Sequence, residues 1–306
     1  MTKTNRKTKF SAIKPDTRLP NWIKPSIGKA SQLELVQNLV KKYRLHTICE
    51  EARCPNRGEC YASGTATFLL GGSICTRSCA FCQVDKGQRP EIIDPKESER
   101  IAEAVLQLKL KYVVLTSVAR DDLPDHGATL FTTTMQAIRE IVPEILIEVL
   151  TPDFWGGYLD KTKLIEIQRQ RLKIILDAKP ICFNHNIETV KRLQSEVRRG
   201  ATYEKSLGLL KASREIDRAI PTKSGLMLGL GESREEIIET LRDLREVDCQ
   251  QITIGQYLRP SLAHIPVQKY WQPKDFEDFR KIADDLGFKR VNSGPLVRSS
   301  YHAEQS

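Results

Sequence analysis

No apolar run in this 306-residue sequence approaches the ~20 residues that cross a bilayer, which excludes an ordinary membrane-spanning helix. Residues 1–9 are basic and polar and hold no apolar signal-peptide core. They also lack acids, as transit peptides do, but residues of structural character follow closely, so no targeting segment is expected and the compartment is read as cytoplasmic. Basic residues are neither blocked together nor interleaved with aromatics, which argues against a nucleic-acid tract. There is no internal repeat and no low-complexity segment. What remains suits one large α/β domain or two small ones, with ordinary apolar content. Lysine and arginine number 48 against 39 acids, a formal charge of +9. That balance fits an acidic partner, and a solvated surface explains it equally well.

Against this plain background stand eight cysteines. Six fall in two tight groups, and with no secretion signal clustered cysteines read as metal ligands rather than disulfides. Cys182 and Cys249 stand alone in apolar surroundings and read as core. The sharper group is Cys75-Thr76-Arg77-Ser78-Cys79-Ala80-Phe81-Cys82, a C-x3-C-x2-C loop after an apolar run and the pair Gly71-Gly72. Three thiolates in one loop can hold three irons of a cluster and leave the fourth open to chemistry. A structural zinc knuckle and unrelated buried cysteines are the plainer readings. The second group, Cys49, Cys54 and Cys60, has C-x4-C-x5-C spacing. That is too loose for one helix face, so these residues must wrap around something. A zinc site usually has four protein ligands. Three leave the set one short, to be completed from elsewhere in the chain or by a non-protein group.

Prolines 15, 20 and 25 with Trp22 make residues 1–28 an extended arm. Ser31-x-x-Glu34 reads as a capping box opening a helix with Val36, Leu39, Val40 and Tyr43 on one face. From residue 66 the chain alternates. Strand-like runs at 66–70, 112–117, 145–150, 181–184, 225–228 and 251–256 are separated by helical patterns. These include 97–110, 233–247 with the capping box Ser233-x-x-Glu236, and a last helix through Phe276, Phe279, Ile282 and Leu286 stopped by Gly287. Such alternation means parallel βαβ units. Six repeats rather than eight predict an α/β fold, a partial (β/α)6 TIM-like barrel. Its expected parts are an N-terminal extension (1–62), a barrel core (63–288) and a C-terminal extension (289–306). The span 159–214 holds more helix than one crossover needs.

In a parallel barrel, functional groups gather where strands run into helices. Here those places hold Cys75 to Cys82, Thr116-Ser117 with Arg120-Asp121-Asp122, Thr151-Pro152-Asp153, Asn184-His185-Asn186, Gly229-Leu230-Gly231-Glu232, and Gln256 with Arg259. Asp153, Asn184 and Ser233 would serve equally as helix starters. His185 either bonds backbone groups or meets cofactor or substrate. Gly229-x-Gly231 is too short for a dinucleotide fingerprint; its glycines suit close backbone approach. Ser299 and Ser300 in the tail Arg298-Ser299-Ser300-Tyr301 are ordinary turn residues until a three-cysteine site in want of a ligand makes them candidates.

The Cys75/Cys79/Cys82 pattern resembles the radical S-adenosylmethionine superfamily. The whole set resembles the lipoyl synthase family from about residue 22 to residue 303. The strings that carry it are both triads, Ser117-Val118-Ala119-Arg120-Asp121-Asp122, Phe183-Asn184-His185-Asn186, Ser224-Gly225-Leu226-Met227 and Arg298-Ser299-Ser300-Tyr301.

The resemblance implies that Cys75, Cys79 and Cys82 hold a cofactor-cleaving [4Fe–4S] cluster. It implies that Cys49, Cys54, Cys60 and Ser300 hold an auxiliary [4Fe–4S] cluster, with S-adenosylmethionine as cofactor. Two sulfur atoms would enter C6 and C8 of an octanoyl group on a lysine of a lipoyl carrier domain, the radical coming from the cofactor rather than from a catalytic side chain. By their strand-end placement Asn184 and Glu232 are expected to bind the cofactor's ribose or ammonium, and Arg259 its carboxylate through a bidentate guanidinium. Implied partners are octanoylated 2-oxoacid dehydrogenase E2 subunits and the glycine cleavage H protein, a ferredoxin or flavodoxin electron donor, and a carrier that rebuilds the auxiliary cluster; no nucleic acid and no membrane are expected. Another two-cluster radical enzyme, such as a methylthiotransferase or a biotin synthase-like protein, and a basic zinc-binding nucleic-acid protein are the alternatives.

Overall fold

A computed structural model describes residues 19–24, 30–52, 54–88, 90–156, 160–301 and 303–305. Of the arm read over residues 1–28, only 19–24 lie among them, where Ile23 is buried and Trp22 exposed. Three helices, α1 (Ala30–Lys42), α2 (Ile48–Glu51) and α3 (Arg57–Ala62), lead into strand β1 (Thr65–Leu70). Ser31 falls one residue inside α1 rather than ahead of it, while Val36 and Val40 on the expected face are buried. The two-residue strands β2 (Ile74–Cys75) and β3 (Asp85–Lys86) then pair in parallel and pinch the base of the loop between them.

Helix and strand alternate from there: α4 (Glu97–Gln107), β4 (Tyr112–Ser117), α5 (Ala128–Ile141), β5 (Leu146–Leu150), α6 (Lys161–Asp177), β6 (Cys182–Asn184), α7 (Gln194–Val197), α8 (Tyr203–Ile216), β7 (Thr222–Leu228), α9 (Arg234–Glu246), β8 (Gln251–Gln256), α10 (Pro273–Asp285) and β9 (Arg290–Gly294). The large sheet runs β1-β4-β5-β6-β7-β8-β9, every pair parallel and in chain order, with β1 and β9 at its edges. This is the partial barrel expected, with one strand more than the six foreseen. The extra strand, β9, lies in what was read as the C-terminal extension. Its sequence, Arg-Val-Asn-Ser-Gly, has only Val291 buried, so no apolar run announces it.

The strands are Val-, Ile- and Leu-rich because a parallel sheet is covered on both faces. β1, for instance, is buried at all six positions. The helical excess at 159–214 resolves into two crossovers, α6 before the short strand β6 and α8 after it. Ser233 caps α9 as read, its hydroxyl accepting from Glu236 N–H while Glu236 returns to the Ser233 N–H.

After β9 the chain returns to the other edge of the sheet. The Thr65 hydroxyl donates to Glu304 Oε2 at 2.8 Å, and Ala303 is buried against Tyr112 and Val114. The tail therefore ties the β9 edge to the β1 edge.

Candidate cluster sites

The first triad is held by the end of β4, by α7 and by the loop after β8. Ala119, just after β4, donates its N–H to Cys75 Sγ at 3.4 Å and accepts from Thr76 N–H at 3.0 Å. Val197 O accepts from Ala80 N–H at 2.8 Å on the β6 side, and Ile265 N–H donates to Ala80 O at 3.2 Å on the β8 side. His264 Nε2 lies 3.0 Å from Cys82 O. Burial pushes the Cys82 thiol up to about 12, with Cys79 and Cys75 adding to the rise. Cys79 is raised for the same first reason, with Arg198 opposing and Glu188 and Cys75 adding. The three sulfurs are thus electrostatic neighbours, and Arg198 and Glu188 face them.

Glu188 is partly buried, and its carboxylate accepts from the Asn186 side-chain amide at 3.0 Å. Its φ of 65° places it in the left-handed region, held by Glu188 N–H to Gly225 O (2.9 Å) and Met227 N–H to Glu188 O (2.8 Å). Neither Glu188 nor Arg198 stood out in the sequence. Both lie past the end of β6, beyond the short string that drew notice.

The second triad is built differently. Cys49 lies in α2, whose N-cap Thr47 accepts from Glu50 N–H, and Cys60 lies in α3. Cys54 N–H donates to Cys49 O at 2.9 Å. Burial, then Cys54 beside it, pushes the Cys49 thiol up to about 12. The tail lies over this set. Asn56, the N-cap of α3, turns its side chain from capping to donate to Leu296 O at 2.6 Å. Tyr301 Oη donates to Glu59 Oε1 at 3.1 Å. Burial raises the Tyr301 hydroxyl to about 12, with Glu59 and Cys60 contributing. Arg298 is held below the usual guanidinium range by burial, with Cys54 opposing that fall. Ser300 sits between these two contacts, partly buried in the turn. The tail is thus brought to Cys54 and Cys60 from some 240 residues away.

An apolar cluster of Leu69, Val84 and Val118 lies between the triads, with Ile48 of the second site and Cys75 and Cys82 of the first packed against it. Among the described residues, no three His, Cys, Asp or Glu side chains converge as the ligands of one ion do. Thiolates on separate irons of a cluster stand farther apart, because each binds its own metal atom. Six soft sulfur donors and one hydroxyl suit iron–sulfur clusters. Buried thiols with raised pKa values stay protonated at neutral pH, so metal binding itself must drive off the protons.

The three residues expected near the cofactor make hydrogen bonds within the protein, though Asn184 Oδ1 is buried without a partner. Asn184 donates to Glu148 Oε1 at 2.8 Å, in a buried cluster where Lys223 and Tyr112 also meet Glu148. The Glu232 carboxylate accepts from Gly229 N–H (2.6 Å), Leu230 N–H (2.8 Å) and Trp271 Nε1–H (2.8 Å), so it shapes the Gly229–Gly231 turn. Arg259 donates to His264 O and Leu262 O, bracing the loop that rests on the first triad. His185 takes the structural role: its Nδ1 meets Thr151 O at 2.8 Å and its Nε2 meets Ser206 Oγ at 2.9 Å, and Arg198 donates to that same hydroxyl at 2.7 Å. Cys182 and Cys249 are core residues as read.

A partial parallel barrel with a three-cysteine loop at its strand ends defines the class. A family model of the radical SAM superfamily matches residues 69–244, and one for the N-terminal domain of lipoyl synthase matches residues 2–54. The chain is 77% identical over 304 residues to "Lipoyl synthase 2" of Prochlorococcus marinus, covering 99% of each. It is 48% identical to "Lipoyl synthase" of Caldanaerobacter subterraneus, covering 94% of this chain and 96% of that one. The fold is similar to that of methylornithine synthase, with a TM-score of 0.52 at 13% identity over 88% of this chain and 79% of that one. The chain belongs to the lipoyl synthase family of radical S-adenosylmethionine enzymes. Sulfur insertion by radical chemistry, [4Fe–4S] clusters, S-adenosylmethionine and action on lipoyl carrier domains come with that membership.

Proposed function

We propose that Cys75, Cys79 and Cys82 hold the cluster that engages S-adenosylmethionine, and that Cys49, Cys54, Cys60 and Ser300 hold the auxiliary cluster whose sulfide enters C6 and C8 of the octanoyl chain. The observation that carries this reading is the tail: Asn56 to Leu296 and Tyr301 to Glu59 bracket Ser300 over a triad that is one ligand short. When bound, the first cluster and its cofactor supply the one-electron homolysis that unactivated C–H bonds require. The chain's own residues position and enclose. Arg198 and Glu188 face the first triad with opposite charges suited to a zwitterionic ligand. The packed Leu69, Val84 and Val118 cluster, against which Ile48, Cys75 and Cys82 lie, keeps water from the ground between the two sites. Asn184, Glu232 and Arg259 are the proposed cofactor contacts on this side, in addition to the bonds with which they hold the strand ends and loops around it. A serine oxygen is a harder and weaker iron ligand than a thiolate, which suits a cluster that is dismantled.

We assign the parts as an auxiliary-site unit (1–62), a barrel core (63–288) and a tail (289–306) whose first strand completes the sheet. Octanoylated E2 subunits and glycine cleavage H protein are the proposed carriers, a ferredoxin or flavodoxin the electron donor, and a cluster carrier the source of renewal. The formal charge of +9 favours acidic carrier faces. Six thiols that must stay reduced point to the cytoplasm.

Anaerobically purified protein is expected to be brown and to hold iron and sulfide near two clusters per chain. Incubation with an octanoylated carrier peptide, S-adenosylmethionine and reductant should add two sulfurs by mass spectrometry. A colourless zinc protein, or a peptide of unchanged mass, contradicts the reading.

A further inference from the structure

We propose that Asp153, together with Asp121, is a positioning residue for the first cluster, acting through Arg77 to hold the cysteine loop in cluster-ready shape. This rests on the reading of Cys75, Cys79 and Cys82 as ligands. By sequence alone Arg77 is one more basic loop residue, between the first and second cysteines. In the structure its side chain is 11% exposed and all its nitrogens are used. Nε and Nη2 form a fork on Asp121, at 2.9 Å to Oδ2 and 2.8 Å to Oδ1. Nη1 lies 2.6 Å from Asp153 Oδ1, and Nη2 donates to Trp155 O at 3.3 Å. One guanidinium thus joins the cysteine loop to the end of β4 and the end of β5.

The two carboxylates are themselves fixed. The Asp153 side chain is fully buried, and its Oδ1 also accepts from Trp155 N–H at 3.1 Å. Gln168 donates to Asp153 O at 2.6 Å, and Arg171 donates to Phe154 O and Pro124 O, both at 2.8 Å. Helix α6 therefore locks the segment that carries Asp153. On the β4 side, the Thr76 hydroxyl lies 2.9 Å from Asp121 Oδ2 and accepts from Asp121 N–H at 3.2 Å.

The link to the sulfur is short. The Arg77 backbone N–H donates to Cys75 Sγ at 3.4 Å, beside the Ala119 N–H at the same distance. Moving Arg77 moves a hydrogen bond to a ligand sulfur, and such bonds tune both the retention and the potential of a cluster. Lysine, a point charge, cannot span the two carboxylates and the Trp155 carbonyl at once.

The test uses the full-length chain with Cys49, Cys54 and Cys60 replaced by alanine, so that only the first cluster reports. Into it go Asp153→Asn and, separately, Arg77→Lys. Chelator-driven bleaching is followed in the visible, and the reduced cluster is examined by electron paramagnetic resonance with and without S-adenosylmethionine. Bleaching on the order of tenfold faster than in the parent is expected, with an altered resonance that a merely structural role would not move. Unchanged bleaching and resonance in both variants overturn the proposal. If Asp153→Asn does not fold, Asp121→Asn, whose carboxylate is 34% exposed, is held to the same two outcomes. A parent that holds no iron overturns the ligand assignment itself, which keeps that failure separate from failure of the clamp.

Discussion

The two cysteine triads contain the same donors and are held in opposite ways. Cys75, Cys79 and Cys82 lie within eight residues, and that loop is gripped by Ala119 and Asp153 just past β4 and β5, by Val197 of α7 and by Ile265 in the loop after β8. Cys49 and Cys60 lie on two short helices at the sheet edge and Cys54 on the segment between them, closed by a tail that arrives from the far end of the chain. The first site is a product of the barrel. The second is a tertiary assembly, and anything that lifts the tail undoes it. On the proposed assignment, the permanent cofactor-binding cluster gains from the first kind of support, and the cluster that gives up its sulfide gains from the second.

The largest effect that separates the sites is replacement of Cys75, Cys79 or Cys82 by alanine. Sulfur insertion and cleavage of S-adenosylmethionine should both fall below detection, while the auxiliary cluster keeps its iron and sulfide. Next comes Ser300→Ala. Sulfur insertion should drop by more than tenfold while reductive cleavage of the cofactor, read as 5′-deoxyadenosine, continues.

Gly255→Val attacks the same side from the barrel. A Cβ on Gly255 would collide with Val297 O, so the tail must lift. About half or more of the auxiliary iron should be lost, at a stability cost of about 1–3 kcal/mol in thermal unfolding.

A pH titration sharpens the comparison on the first side. Burial, then Arg198, lowers His185 from 6.5 to about 4. Folded His185 stays neutral, with Nδ1–H donating to Thr151 O and Nε2 accepting from Ser206. Between pH 6.5 and 4 the unfolded chain binds the proton and the folded chain does not. This contribution is therefore complete above about 6.5 and lost as pH falls to 4, at most about 3 kcal/mol by chemical denaturation. His185→Gln should flatten that limb. The smallest effect is Tyr301→Phe, which removes the bond to Glu59 and should cost about 1 kcal/mol, with slightly faster bleaching of the auxiliary cluster alone.

Much of the barrel was legible because buried parallel strands are apolar runs. The expected strands at 112–117 and 251–256 match β4 and β8 end to end. β9 was not, because Asn292, Ser293 and Gly294 carry no apolar signal and pair only through their backbone with β8. The cysteine spacing and the serine tail were legible as chemistry. The residues that arrange that chemistry were not. Arg77, Gln168 and Arg171 are ordinary polar residues until the fold buries them against carboxylates and carbonyls. Glu232 showed the reverse: a strand-end carboxylate that the turn turns inward, onto Gly229, Leu230 and Trp271.

The division of labour between the two sites is tested most directly by counting iron and sulfide in two triple variants, one lacking Cys75, Cys79 and Cys82, the other lacking Cys49, Cys54 and Cys60. Each should retain one cluster's worth, and only the variant that keeps Cys75, Cys79 and Cys82 should change its electron paramagnetic resonance when S-adenosylmethionine is added. If either triple substitution empties both sites, or if the resonance responds to the cofactor in the variant without Cys75, Cys79 and Cys82, the two-site account is wrong.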